Sequence, residues 1–147
     1  MRFVPAAVLG LLAVLPGGLS AQKARTGAEV YATCQACHMP TGLGVPGVFP
    51  PLAGSEWVLG RAEVPIALVL HGMQGAVTVK GATYNQVMTP WGPLFSDEEV
   101  ANVVTYIRTQ WGNKASAVTA ADVARVRAAT KDRKQPFTAA EVKKLYP

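Results

Sequence analysis

A helical fold is what this sequence predicts: two observations predict it, and a third marks where helix cannot run. Four hydroxyl-to-acid boxes, Thr26–Glu29, Ser96–Glu99, Thr119–Asp122 and Thr138–Glu141, each pair a capping side chain with an acid three residues on. Val100, Val103, Val104, Ile107 and Trp111 recur at helical spacing. Between the first two boxes, Pro40, Gly42, Gly44, Pro46, Gly47, Pro50, Pro51 and Gly54 crowd into fifteen residues, a density that forbids long helix.

The chain opens with Met1-Arg2, a short positive start, then an apolar run from Phe3 to Leu15 broken only by Pro5 and Gly10. Pro16-Gly17-Gly18 ends the run, and Leu19-Ser20-Ala21 finishes on a small residue suited to cleavage. This is the three-part layout of a secretory signal over residues 1–21, implying a periplasmic or otherwise exported chain that starts near Gln22. The run falls short of the ~20 residues of a spanning helix, so an uncleaved membrane anchor is the weaker alternative.

Thr26-Gly27-Ala28-Glu29 opens a first helix with Val30 and Tyr31 as its apolar contacts, and it runs into Cys34-Gln35-Ala36-Cys37-His38. C-x-x-C-H is the attachment site of a c-type haem. Two thiols one turn apart can each add across a haem vinyl group, and the adjacent imidazole is then carried under the iron. Two plainer readings compete. A zinc site needs more Cys or His than a chain whose remaining histidine is His71. A dithiol redox site wants a βαβ context that is missing here. There is no second C-x-x-C-H, so one haem is expected, held by Cys34 and Cys37.

The Pro/Gly-rich stretch reads as a loop wrapped over a flat object. A short helix follows, with Pro65 near its first turn, Ile66, Leu68, Val69 and Leu70 as its apolar content, and Gly72 as its C-cap. Residues 73–95 return to loop, with a strand-like piece at 77–79. Ser96 opens the strongest helix, which Gly112 is expected to stop. The two tail helices are alanine-rich and thinly apolar, so they are expected to dock weakly if at all. Charge follows the same division. Residues 22–112 carry five Lys/Arg against six acids, and residues 113–147 carry eight against three, so the tail holds the net basicity. The resulting division is a 1–21 signal, a 22–112 domain and a 113–147 basic helical extension.

A haem bound through His38 leaves a sixth iron position. Met39 adjoins His38 and cannot reach round the ring. Met88 lies in Tyr84-Asn85-Gln86-Val87-Met88-Thr89-Pro90-Trp91-Gly92, where Pro90 stiffens an extended backbone, and it is the first candidate. Met73, for which core packing is the plainer reading, and His71 or an open site are the alternatives.

At this point residues 26–112 resemble the class I cytochromes c, the mono-haem, His/Met-ligated family, in its small exported bacterial form. The resemblance rests on the capped first helix into Cys34-x-x-Cys37-His38, on Met88-Thr89-Pro90-Trp91-Gly92, and on Ser96-Asp97-Glu98-Glu99 opening a last helix through Tyr106, Ile107, Arg108 and Trp111. It implies an all-α fold in which first and last helices cross closely, with Gly27 near Tyr106. It implies ligation by His38 and Met88, and one-electron transfer between larger redox proteins. Pro51 resembles the family's proline beside the proximal imidazole, in a loop whose carbonyls accept the His38 Nδ1–H. The first helix is about a residue short before Cys34, and the tail lies outside the common core. That tail is similar to extensions on small bacterial cytochromes serving quinoprotein dehydrogenases or terminal oxidases.

Trp57, Tyr84 and Trp91 each have two readings, as donors to haem propionates or as plain core aromatics. The expected partners are a redox donor and acceptor, not nucleic acid, for a chain that is a monomer. The basic tail suits an acidic partner or an anionic membrane surface, or is simply a solvated helix pair. An electron carrier is therefore the leading expectation. A haem subunit bound to a dehydrogenase through residues 113–147 is the second. A peroxidase or gas sensor would want a distal His or Arg, and His71 and Arg61 have no supporting spacing for that role.

Overall fold

A computed structural model describes residues 23–147; the signal reading over 1–21 falls outside them. In chain order the elements are α1 (Gly27–His38), α2 (Glu56–Leu59), α3 (Glu63–His71), β1 (Val77–Val79), β2 (Ala82–Tyr84), α4 (Asp97–Thr109), α5 (Ala120–Ala129) and α6 (Ala139–Leu145). The expected helical class holds, with one small hairpin added. All four predicted boxes form: Thr26, Ser96, Thr119 and Thr138 accept from the backbone three residues on, and the acid there reaches back.

The first and last core helices cross where Gly27 removes a side chain. A Cβ there would lie 2.4 Å from the Asn102 carbonyl oxygen and 2.7 Å from Tyr106 Cβ, so only glycine lets the backbones meet. Val30 and Tyr31 on α1 and Val100, Val103 and Val104 on α4 are buried at this crossing and its neighbourhood. The helix α3 closes the third side with Ile66, Ala67, Leu68, Val69 and Leu70 all buried, and Gly72 ends it in a left-handed turn.

Four features depart from the sequence expectation. A one-turn helix, α2, forms because the Ser55 hydroxyl accepts the Trp57 N–H. The strand-like piece at 77–79 pairs with Ala82–Tyr84 across Lys80-Gly81, two residues that both take positive φ, as a tight two-residue hairpin turn needs. The helix α4 ends at Thr109, before Gly112: Trp111 has φ 55° and turns its ring back over Gly42 and Tyr31.

The fourth departure is the largest. The tail does not dock weakly; it is built into the core. Val123, Val126 and Val142 are buried, and so are Val118 and Phe137 in the connecting segments, where helix periodicity could not reveal them. The helix α5 packs on both α3 and α4. Arg108, only 3% exposed, reaches the Val58 and Gly60 carbonyls on one side and the Ser116 carbonyl on the other, stitching α2 and α4 to the tail. Three carbonyl acceptors satisfy a buried guanidinium that would otherwise be costly.

Candidate functional site

One cleft collects nearly all the chemistry singled out from the sequence. Cys34, Cys37, His38, Pro51, Trp57, Tyr84, Met88 and Trp91 all line it, together with Leu68, Val69, Val79, Val103 and Ile107 from the core. It encloses about 1190 Å³, its mouth included, and none of its lining residues is Asp, Glu, Lys or Arg.

Helix geometry supplies the first wall. Residues 34, 37 and 38 stand at i, i+3 and i+4, so α1 presents them on one face. Burial, and next the neighbouring Cys37, pushes the Cys34 thiol up to about 11. A neutral, half-buried thiol lacks the thiolate character of a reactive dithiol site, which counts against the redox-pair reading. Burial also lowers the His38 pKa, opposed by a bond to the Pro50 backbone.

That bond defines the imidazole. His38 Nδ1 lies 2.9 Å from the Pro50 carbonyl oxygen. A carbonyl only accepts, so Nδ1 carries the hydrogen and Nε2 keeps the lone pair a metal needs. The acceptor expected near Pro51 is thus the preceding residue; Pro51 itself is a wall of the cleft. Pro50 is delivered by a loop folded tightly on itself. Val45 and Phe49 bridge, Leu52 and Ala53 donate to the Gly42 carbonyl, and the Tyr31 hydroxyl donates to Met39. Gly44 is required there, because at φ +65° its Cβ would sit 2.6 Å from the Pro50 oxygen.

Met88 reaches the cleft from an extended segment held by its backbone. Its N–H donates to the Met73 carbonyl at 2.8 Å, and the Met73 N–H donates back at 3.1 Å. Gly72 makes room, since a Cβ there would approach the Met88 oxygen to 2.3 Å. Trp91 and Gly92 then donate to the Val69 and Leu70 carbonyls at the end of α3. Met73, which lines the cleft as well, is 7% exposed. His71 is not among the lining residues: its Nε2 lies 2.7 Å from the Thr130 hydroxyl, a tail contact.

The aromatic readings divide. Trp57 gives its indole N–H to the Thr78 carbonyl at 2.8 Å, tying α2 to β1, which favours its core-aromatic reading over the propionate-donor one. Trp91 stacks on Phe95, with centroids 5.5 Å apart and planes 9° from parallel. Tyr84 closes the hairpin on the cleft. Sequence reasoning missed Pro50 as the imidazole's partner, although the Pro50-Pro51 pair marked the place. It also missed Phe137, for which no periodic signal exists.

An apolar, uncharged cleft bordered by two thiols, a neutral imidazole and a thioether fits a flat, largely apolar macrocycle with a central iron. Soft and imidazole donors of this kind suit iron rather than a hard cation. The family model for cytochrome c matches residues 24–111, much the same stretch that carries the resemblance. Cytochrome c-552 of Thermus thermophilus is 42% identical over 136 residues, covering 90% of this chain and 81% of that protein. The cytochrome c subunit of a quinone alcohol dehydrogenase from Gluconacetobacter polyoxogenes is 41% identical over 107 residues, but these are 69% of this chain and 22% of that subunit. The cytochrome c subunit of gluconate 2-dehydrogenase from Pantoea cypripedii shows the same disparity, 40% identity over 70% of this chain and 24% of the subunit. With a matching motif, cleft and family model, this chain belongs to the cytochrome c family and carries haem c on Cys34 and Cys37.

Proposed function

We propose that this protein is an exported mono-haem electron carrier, exchanging single electrons with larger redox proteins, with His38 and Met88 as the residues that would ligate its iron. The observation that supports it best is the pairing of a tautomer-fixed His38 and a backbone-held Met88 in one uncharged cleft. Bound haem supplies the one-electron chemistry, and the chain's residues set how readily it proceeds. The Pro50 carbonyl orients His38 and raises its basicity as a ligand. The thioether of Met88, a soft donor, favours reduced iron. Apolar walls free of charged side chains disfavour added positive charge, which raises the potential. Tyr84 and Trp91 are the cleft residues suited to meet the haem carboxylates. A carrier needs rigid ligands and little reorganisation, and neither ligand here stands on a free loop.

The absorption spectrum tests this. Oxidised holoprotein should show the weak far-red band of thioether-to-iron ligation, and reduced protein should bind carbon monoxide poorly. Loss of the band with ready carbon monoxide binding would favour an enzyme or sensor with an open sixth site.

A second reading makes the chain a haem subunit of a dehydrogenase, favoured by its similarity to the two dehydrogenase cytochrome subunits. Against it, those matches span under a quarter of the subunits, whereas the Thermus cytochrome is matched over most of its length. Purification from the exported fraction separates the two: a dehydrogenase subunit brings its larger partner with it, and a carrier comes alone.

A further inference from the structure

Of the contacts the tail makes with the core, two bear on the segment that carries Met88. At one, Phe137 lies alongside residues 72–74 as a parallel strand-like partner. Its N–H donates to the Gly72 carbonyl at 3.1 Å, and its carbonyl accepts from the Gln74 N–H at 2.8 Å. Met73, between them, uses its other edge to pair with Met88. Phe137, Met73 and Met88 therefore form three adjacent rungs of backbone, with the tail on the outside and Met88 on the cleft side. The Phe137 ring anchors its rung: it is 2% exposed, edge-on to His71 at 5.7 Å and covered by the Arg133 guanidinium at 3.6 Å.

At the other place, Arg127 of α5 grips the far end of the same segment. Its Nη1 donates to the Gly92 carbonyl at 3.0 Å, its Nη2 to Phe95 at 3.2 Å, and its Nε to Asp97 at 2.8 Å. Segment 88–92 is thus held on one side by the end of α3 and braced on the other by residues far along the chain. A Met ligand dissociates when its loop swings out, so whatever opposes that swing sets the fraction of open iron.

We propose that Phe137 and Arg127 are positioning residues for the sixth ligand, making the tail a brace that keeps Met88 on the iron. The proposal rests on the reading of Met88 as ligand. Neither residue lines the cleft, so each acts through the backbone it holds.

The test compares holoprotein variants Phe137→Ala, Arg127→Gln and the pair with Val142→Ala. Val142 is a fully buried tail residue without a bond to segment 72–74 or 88–92, and serves as the control for general destabilisation. The readouts are the far-red band of the oxidised form, carbon monoxide binding to the reduced form, and Tm. Carbon monoxide affinity should rise by about tenfold in Phe137→Ala and Arg127→Gln and further in the pair, because apparent affinity follows the open fraction. Phe137→Leu should restore most of the wild-type behaviour, and Val142→Ala should lower Tm with both ligand readouts unchanged. The proposal fails if the two brace variants lower Tm but leave band and carbon monoxide affinity at wild-type values, or if Val142→Ala moves them equally. Met88→Ala separates the underlying reading: if it keeps the band, the ligand assignment is wrong, whatever Phe137 and Arg127 do.

Discussion

Met73 and Met88 face each other through their backbones, each giving its N–H to the other's carbonyl, at 3.1 and 2.8 Å. Both side chains line the cleft, yet their surroundings differ. Met73 is buried at the end of α3, and Met88 is half-buried on a segment stiffened by Pro90.

This relationship predicts a clean division between two truncations. Met88→Ala keeps the backbone bonds and removes the thioether, so covalent haem and helix content stay while the potential drops; axial identity moves haem potentials across about 0.8 V. Met73→Ala also keeps the backbone bonds, but it empties a core position and costs about 2–5 kcal/mol of stability. Redox titration beside thermal melting checks both. A lowered potential in Met73→Ala, with Met88→Ala at the wild-type value, would reverse the assignment.

The helix crossing makes a second prediction. Gly27→Ala places a methyl group into the Asn102 backbone, which cannot rotate away. The two helices must separate, at about 1–3 kcal/mol as for other overpacked sites. The measurement is denaturant unfolding of holoprotein. Because Val103 and Ile107 on α4 also line the cleft, the same variant should shift the haem's absorption maximum slightly.

The ease with which parts of this structure can be read from sequence follows the reach of the signals involved. Capping boxes are local, so Thr26, Ser96, Thr119 and Thr138 announced four helix starts correctly. C-x-x-C-H is equally local, and one turn of helix turns it into a wall of thiols and imidazole. Gly27 needed a non-local argument, which the family resemblance supplied. Phe137 and Val118 had no such signal. Each is a single apolar residue in a connecting segment, and its burial depends on where the segment lands. Trp57 shows the converse: its composition allowed a propionate donor, and the hairpin placed the Thr78 carbonyl there first. The Trp111 turn was missed because periodicity extends a helix that the chain had already left at Gln110, which is in extended backbone.

Acid should loosen the capped starts of the two tail helices, where the carboxyl pKa values are lowered most. The Thr119 hydroxyl and N–H, and then Arg125, hold Asp122 down to about 2 from an ordinary 3.8. The Thr138 N–H, then Arg133 and the Thr138 hydroxyl, hold Glu141 down to about 2 from 4.5. Between those values the unfolded tail binds protons that the folded one does not. Stability therefore rises with pH there: the contribution is present above about pH 4.5 and is lost as pH falls toward 2. Amide exchange measured at about pH 6 and about pH 3 should show α5 and α6 losing protection, relative to α3, more than any pH effect on exchange chemistry explains. Thr138→Ala should shrink that difference for α6. Equal loss in α3 and α6 would show that acid acts globally.

Removing the haem should remove the fold. In the variant Cys34→Ala with Cys37→Ala no covalent haem can form, and the apolar walls contributed by Leu68, Val69, Val79, Val103 and Ile107 lose the surface they are shaped to meet. In the folded chain these side chains already stand only 1–9% exposed, so what haem supplies is the apolar filling of the cleft they wall, and without it a large cavity is left in a small core. Collapse of the walls onto each other is opposed by the α1–α4 crossing at Gly27, which fixes α4 against α1. Calorimetry and near-ultraviolet dichroism of the purified variant are the measurements: the expected result is no cooperative transition and weak aromatic signals. A cooperative melt near that of the holoprotein would mean that the tail brace and the three-helix core suffice by themselves, and that haem contributes chemistry without contributing structure.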